Sequence, residues 1–276
     1  MNDHPIIALS GRYPQLSLPI RAGMKETEQY RNSVLRGQPT GLNPVFSFSG
    51  KDYLAEVDTP AGPAEILFLS EREDFEHAIR ALAYRCEPHA IPRSMGATTL
   101  SGLINWEKIR PHMTSDEEFA RFTSVKSNYL DTIIILSAGE YSAVPASEMG
   151  LAPEEWISRS IEIRKYHELT HFVSQRLFPE NKEAIRDEVV ADMMGLFAAF
   201  GEYEPAAARK FLGTEGPAYR SGGRLENYSG EKDIDVLSSE VNSFIDLLKK
   251  ETEGLQFANL FDILQYVEEN RIGLSQ

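Results

Sequence analysis

Residues 166–195 read YHELTHFVSQRLFPENKEAIRDEVVADMMG, and this segment carries the most informative pattern in the chain. Near its start, His167 and His171 are four positions apart. Because an α-helix turns by about 100° per residue, side chains four positions apart lie on one face, one turn above the other. Both imidazoles can therefore reach the same point in space, and Glu168 projects beside them.

A second helical segment follows after a break. The break is Phe178-Pro179-Glu180-Asn181, and it ends the first pattern because proline is poorly tolerated inside a helix. Beyond it, Glu188 and Asp192 are again four positions apart and share one helix face. The sequence therefore predicts two helices joined by a short turn, from Pro153 to about Leu177 and from Lys182 to Phe200.

Two imidazoles and two carboxylates at this spacing are typical of a zinc site. Neutral imidazole nitrogens bind zinc at about 2.0–2.1 Å, and a catalytic zinc ion has three protein ligands and a water molecule. His167 and His171 would be two of these ligands, and Glu188 is the candidate for the third. Glu168 can reach the water and act as general base. Asp192 is placed to accept a hydrogen bond from the free ring nitrogen of a ligand histidine.

These HExxH and ExxxD segments resemble those of the gluzincin branch of zinc metallopeptidases, over roughly residues 130–200. The resemblance implies an α+β, zincin-like fold with a small N-terminal mixed sheet, a mostly helical C-terminal half and the metal site between them. It also implies a Zn²⁺ cofactor held by His167, His171 and Glu188, with Glu168 as general base and Asp192 as support. The expected activity is zinc-dependent hydrolysis of a peptide or protein substrate.

The oxyanion formed in such a reaction needs a hydrogen-bond donor in addition to the metal ion. Many gluzincins use a tyrosine or histidine downstream of the glutamate ligand, and no histidine follows His171 here. Tyr219 and Tyr228 are the candidate catalytic donors. Tyr203, or an arginine in the Gly-rich segment 213–230, is an alternative, and the sequence does not choose among them.

Two other functions remain open. The chain could be a zinc-binding protein of the same fold without turnover, acting as a binding or regulatory module. A helical di-iron carboxylate protein would need two Glu-x-x-His pairs on facing helices. Glu168-x-x-His171 is one such pair, and Asp74-x-x-His77 is the nearest approach to a second. Peptide deformylases also contain HExxH, but they use a cysteine ligand from a motif that this chain lacks.

The composition is that of an ordinary globular protein, with 276 residues, 42% hydrophobic and 25% charged. A formal net charge of −14 argues against nucleic acid or an anionic membrane as partner. The single cysteine, Cys86, excludes an intramolecular disulfide and a cysteine-based zinc cluster. Residues 1–10 lack the features of a signal peptide, and no segment approaches the ~18 apolar residues of a membrane span. We therefore expect a cytoplasmic protein of unspecified oligomeric state.

Outside the helical pair, the pattern predicts a small sheet and several packing helices. We divide the chain into an N-terminal α/β region, 1–130, and a metal-binding region with a helical C-terminal part, 131–276, unless the whole forms one domain. Residues 86–102 are expected to form a long loop, and residues 1–23 to be irregular. The predicted strands are 45–49, 53–57, 65–70 and 132–136. Further helices are predicted at 24–36, 70–85, 114–125, 205–212, 233–251 and 255–270.

The apolar run Thr132–Leu136 is of special interest because it precedes the HExxH helix. In zincin folds, this position is occupied by the edge strand that pairs with an extended substrate, and residues Ser137 to Tyr141 would then border the substrate cleft. The alternative is an interior strand that has no role in substrate binding.

Overall fold

The computed structural model describes residues 4–216, 218–230 and 232–274. The chain divides into two compact units. Unit 1 contains Met1–Val57, Ala64–Pro92 and Thr98–Ser137, and unit 2 contains Asp58–Pro63, Arg93–Ala97 and Ala138–Gln276. Together they have the α+β composition expected from the sequence, with a small mixed sheet and many helices.

Unit 1 is built on a mixed sheet of four strands. They are β1 (Tyr53–Val57), β2 (Ala64–Leu69), β3 (Ala97–Ile104) and β4 (Leu130–Ser137). Their spatial order is β1-β2-β4-β3, with β1 antiparallel to β2 and β2 parallel to β4. The apolar run at the centre of β4 is fully buried, as expected for a strand that is covered on both faces.

The sequence left open whether the fourth strand is at the edge or in the interior of the sheet, and two other expectations for this sheet were wrong. The run Thr132–Leu136 is a strand, but it is interior, because β2 and β3 flank β4. Residues 45–49 form no strand. The predicted loop 86–102 contains the first part of β3, whose small polar residues and Gly102 (φ 79°) lack a strand-like apolar pattern.

Part of the N-terminal stretch predicted to be irregular is helical, namely Pro5–Arg12 and, as a 3₁₀ turn, Pro14–Ser17. Proline at the first position of α1 suits a helix start, and the His4 side chain caps it by accepting a hydrogen bond from the Ile6 amide. The helices of unit 1 are α1 (Pro5–Arg12), α2 (Glu28–Tyr30, continued by a π-helical turn to Leu35), α3 (Arg72–Leu82), α4 (Trp106–Ile109) and α5 (Asp116–Thr123).

Asp131, near the start of β4, joins three parts of unit 1. It accepts hydrogen bonds from the Tyr13 hydroxyl at 2.8 Å and from the Asn105 side-chain amide at 2.6 Å. The Lys108 ammonium group lies 2.6 Å from its other oxygen. Burial would raise the pKa of this carboxyl, but the three donors outweigh burial and lower the pKa.

Unit 2 is helical, and its longest helix carries the HExxH segment. The helices of unit 2 are α6 (Ala146–Met149), α7 (Pro153–Leu177), α8 (Ala184–Phe200), α9 (Pro205–Leu212), α10 (Ile234–Thr252) and α11 (Leu260–Glu269). A 3₁₀ helix covers Arg224–Tyr228. Across residues 4–216, 218–230 and 232–274, every helix is too short or too polar to cross a lipid bilayer.

The close approach of α7 and α8 depends on Gly195. A Cβ atom at this position would lie 2.8 Å from the carbonyl oxygen of Ile163, which is too short for any real contact. Glycine therefore lets the two helix backbones meet one turn before the HExxH segment. The fully buried side chains Val189, Met193 and Leu196 of α8 contribute apolar surface to the core of unit 2.

Candidate metal centre

His167 and His171 of α7 and Glu188 of α8 converge on one point. The two Nε2 atoms are 3.1 Å apart. Glu188 Oε2 lies 3.5 Å from His167 Nε2, and Glu188 Oε1 lies 3.4 Å from His171 Nε2. Within the part of the chain that the structure describes, this is the group of His, Cys, Asp and Glu side chains that could hold a metal ion, with one ligand atom from each residue within 4.8 Å of the others.

The spacing of these atoms fits zinc. Bonds of about 2.0–2.1 Å in tetrahedral geometry place ligand atoms roughly 3.3 Å apart. The separations of 3.1, 3.4 and 3.5 Å bracket that value. Two imidazoles and one carboxylate also match the donor set of catalytic zinc sites that keep a fourth position open. The three residues therefore fit a zinc ion in both chemistry and spacing.

A hydrogen-bond network holds the other side of the His167 ring. Its Nδ1 atom lies 2.9 Å from Asp192 Oδ1 and donates to it, which leaves Nε2 facing the metal-binding group. The Tyr141 hydroxyl lies 2.9 Å from the same Nδ1 and donates to Asp192 Oδ1 at 2.6 Å. Arg224 pairs with Asp192 Oδ2 and donates to the Tyr141 hydroxyl at 3.1 Å. Asp192 therefore fixes the orientation of the His167 ring, and Tyr141 and Arg224 in turn hold Asp192 in place.

The electrostatics follow from burying these charges together. Burial alone would lower the pKa of His167, but its hydrogen bonds to Asp192 and Glu188 raise that pKa to about 10. Burial would raise the pKa of Glu188, yet the two histidines and Arg224 hold it well below its usual range. Both pKa shifts therefore have one cause, the attraction between a histidine and the carboxylates that are buried against it.

The loop that carries Tyr141 is held by α7 itself. The two terminal nitrogens of Arg164 donate to the carbonyl oxygens of Gly139 and Glu140, each at 2.6 Å. Ser142, the next residue after Tyr141, has a left-handed backbone (φ 50°), which is uncommon for a residue with a side chain. The same helix thus supplies His167 and the arginine that shapes the loop behind it.

The predicted catalytic residues are placed differently from one another. Glu168 lies on α7 directly after His167 and is 8% exposed. Tyr228 lies near Glu188, and burial together with the Glu188 carboxylate raises the pKa of Tyr228. The hydroxyl of Tyr219 instead donates to the carbonyl of Gly223 in its own loop, at 2.6 Å. Tyr203 is 1% exposed, and its hydroxyl has no partner among the described residues.

Two members of the network were not identified from the sequence in these roles. Tyr141 was expected only to border a cleft, and Arg224 only as one of several arginines in a loop. Tyr141 and Arg224 do not lie on the helices that carry His167 and Asp192, so helical periodicity cannot indicate that they meet these residues. Both come from irregular segments that packing brings to the centre.

Comparisons with known proteins give a family but no activity. No curated protein and no solved structure matches the chain. One family model matches residues 3–263, which is nearly the entire sequence. The chain therefore belongs to the family of unknown function DUF7005.

Proposed function

We propose that this protein is a zinc-dependent peptidase with a zincin-like fold, in which His167, His171 and Glu188 hold the metal ion. The observation that carries the proposal is the convergence of these side chains, with ligand atoms 3.1–3.5 Å apart. Structural zinc sites are closed by four protein ligands, whereas catalytic sites have three and an open position. A set of two histidines and one glutamate favours the catalytic type.

The residues of the centre divide the work of peptide hydrolysis. Zinc bound here would polarise the substrate carbonyl and lower the pKa of a water molecule to about 7. Glu168 accepts a proton from the attacking water and passes it to the leaving amine. Asp192 keeps the proton of His167 on Nδ1, so that the lone pair of Nε2 is available to the metal ion.

Tyr228 is the candidate donor to the oxyanion. Its hydroxyl adjoins Glu188, one of the proposed ligands, and a phenol hydroxyl beside the metal position is a suitable donor to a substrate oxygen. Tyr219 remains an alternative, although its hydroxyl is bonded to Gly223. Arg224 offsets the negative charges of Asp192 and Glu188. Its Nη2 atom pairs with Asp192 Oδ2 and lies 3.9 Å from Glu188 Oε2.

A second candidate function is zinc binding without turnover, as a binding or regulatory module. The observation that favours it is the engagement of both nearby donors. Arg224 is bonded to Asp192, Tyr141 and Ser142, and the Tyr228 hydroxyl adjoins the Glu188 carboxylate. If neither donor is released for a substrate, the oxyanion lacks a protein partner.

One experiment separates the two functions. Wild type, Glu188→Ala and Glu168→Gln are purified, their zinc content is measured by mass spectrometry, and each is incubated with a mixed peptide library. For a peptidase, we expect about one zinc ion per wild-type chain, loss of zinc from Glu188→Ala, and chelator-sensitive cleavage. Glu168→Gln should keep its zinc and lose activity by about 10²–10⁴-fold, because only the general base is removed.

The matched control is Glu154→Gln, which changes an exposed glutamate on the same helix and should leave both zinc content and cleavage unchanged. If wild type binds zinc but neither it nor any of the variants cleaves a peptide, the second function is favoured. Wild type that takes up no zinc would contradict both.

A further inference from the structure

A cavity of about 270 Å³ adjoins the candidate metal centre. His171 forms part of its wall, together with Ser174 and Phe178 from the end of α7 and its turn, Asp187 from α8 and Glu268 from α11. Pockets for whole small molecules measure about 300–1,000 Å³. The cavity therefore suits a single side chain of a larger ligand.

Glu268 has little capacity to bind a ligand. Its side chain is 2% exposed, and Arg186 donates to both of its oxygens, at 3.0 and 3.3 Å. Ser174 and the Asn181 amide also donate to it, at 3.2 and 2.9 Å. This carboxylate is thus neutralised and surrounded by donors within the protein.

Asp187 is different. Its side chain is 20% exposed, and its contact with Arg186 is long, at 3.4 Å, to a guanidinium that already pairs with Glu268. It also accepts a backbone hydrogen bond from Glu183. A carboxylate has about four acceptor positions, so Asp187 keeps the capacity to accept from a ligand. Arg186 is shared between two carboxylates and lies closer to Glu268, so the charge of Asp187 is less completely offset than that of Glu268.

The remaining lining residues are compatible with a long basic side chain. Phe178 and Pro179 offer apolar surface for methylene groups, as lysine and arginine stems require. Lys182 also lines the cavity, but it is exposed, and water screens its charge more than that of the half-buried Asp187. The net charge of −14 also favours a basic ligand at the surface.

We propose that this cavity is a substrate subsite that accepts one lysine or arginine side chain, with Asp187 as its acidic partner. The inference rests on the proposed function in taking the ligand to be a peptide. It names the substrate class of that function, namely peptides with a basic residue next to the bond held at the metal centre.

Binding is measured on zinc-loaded Glu168→Gln, which can hold a peptide without cleaving it. The probes are alanine-based peptides in which arginine, norleucine or glutamate is moved through each position, with dissociation constants measured by calorimetry. At one position, we expect arginine to bind about tenfold more tightly than norleucine, as a charged hydrogen bond would give. Adding Asp187→Asn should abolish that preference. Adding Glu180→Gln, which changes an exposed acid in the turn between α7 and α8, should leave the preference intact.

Because Asp187 adjoins Glu188 in the chain, the zinc content of every variant is measured first. Equal binding of the arginine and norleucine peptides at every position, or binding of none of them, overturns the subsite. A preference for glutamate that is lost in Lys182→Gln also overturns it. If arginine peptides bind more tightly but wild type cleaves no peptide, the peptidase function is contradicted and the subsite is supported. If wild type cleaves peptides but shows no preference for arginine, the subsite is contradicted and the peptidase function is supported.

Discussion

Asp131 in unit 1 and Asp192 in unit 2 are held in similar ways. Each accepts a hydrogen bond from a tyrosine hydroxyl, from Tyr13 at 2.8 Å and from Tyr141 at 2.6 Å. Each also pairs with the side chain of a lysine or arginine. In both cases, these partners hold the pKa of the carboxyl below its usual value despite burial, which alone would raise it.

The two aspartates differ in their third donor. For Asp131, it is the amide of Asn105, whose side-chain oxygen only caps α4 by accepting from the Lys108 backbone amide. For Asp192, it is the imidazole of His167, whose other ring nitrogen faces His171 and Glu188. A buried, well-bonded carboxylate therefore does not by itself mark a functional site. The distinguishing feature is a donor atom left over at the end of the network, aimed at other ligand atoms.

The largest effect that tests this contrast is on zinc affinity. Asp192→Asn replaces the carboxylate that orients His167 with a neutral amide, and such changes behind a metal ligand typically weaken binding by about 10–100-fold. Asp131→Asn should leave zinc affinity unchanged. Competition with a chromogenic chelator measures both variants, and equal losses in the two would show that the contrast between the clusters is false.

A smaller effect is expected on the stability of unit 1. Asp131→Asn places an amide among three donors, and losing hydrogen bonds to a buried charged group costs about 2 kcal/mol of unfolding free energy. Urea unfolding followed by circular dichroism measures the change. Asp116→Asn, an exposed residue in the first turn of α5, serves as the control and should cost much less. A similar cost in both variants would mean that the Asp131 network contributes nothing specific.

The smallest effect is a pH dependence of that cost. Because the pKa of Asp131 is lower in the folded state than its ordinary value of 3.8, its charge stabilises the fold fully above that value. The contribution is lost as the pH falls through the folded-state pKa. The difference in urea midpoint between wild type and Asp131→Asn should thus be constant from pH 7 to 5 and narrow below about pH 4. A difference that widens on acidification would contradict the assignment.

Local signals predicted the helices of unit 2 well. Pro153 begins α7, and α8 ends at Phe200, just before Gly201, whose left-handed backbone (φ 79°) suits glycine after a helix. The sheet was harder to predict. Five of the eight residues of β3 are small or polar, so pairing with β4 rather than an alternating apolar pattern makes it a strand. The interior position of β4 could not be predicted from local sequence either, because the order of strands in a sheet depends on pairing between residues far apart in the chain.

Helical periodicity alone puts His167 and His171 on one face, since 3.6 residues per turn is a property of the local backbone. Packing controls the rest of the centre. Glu188 meets the histidines because Gly195 lets α8 approach the backbone of Ile163. Tyr141 and Arg224 reach His167 and Asp192 from irregular segments, whose paths are fixed by tertiary contacts and not by any repeating geometry of the chain.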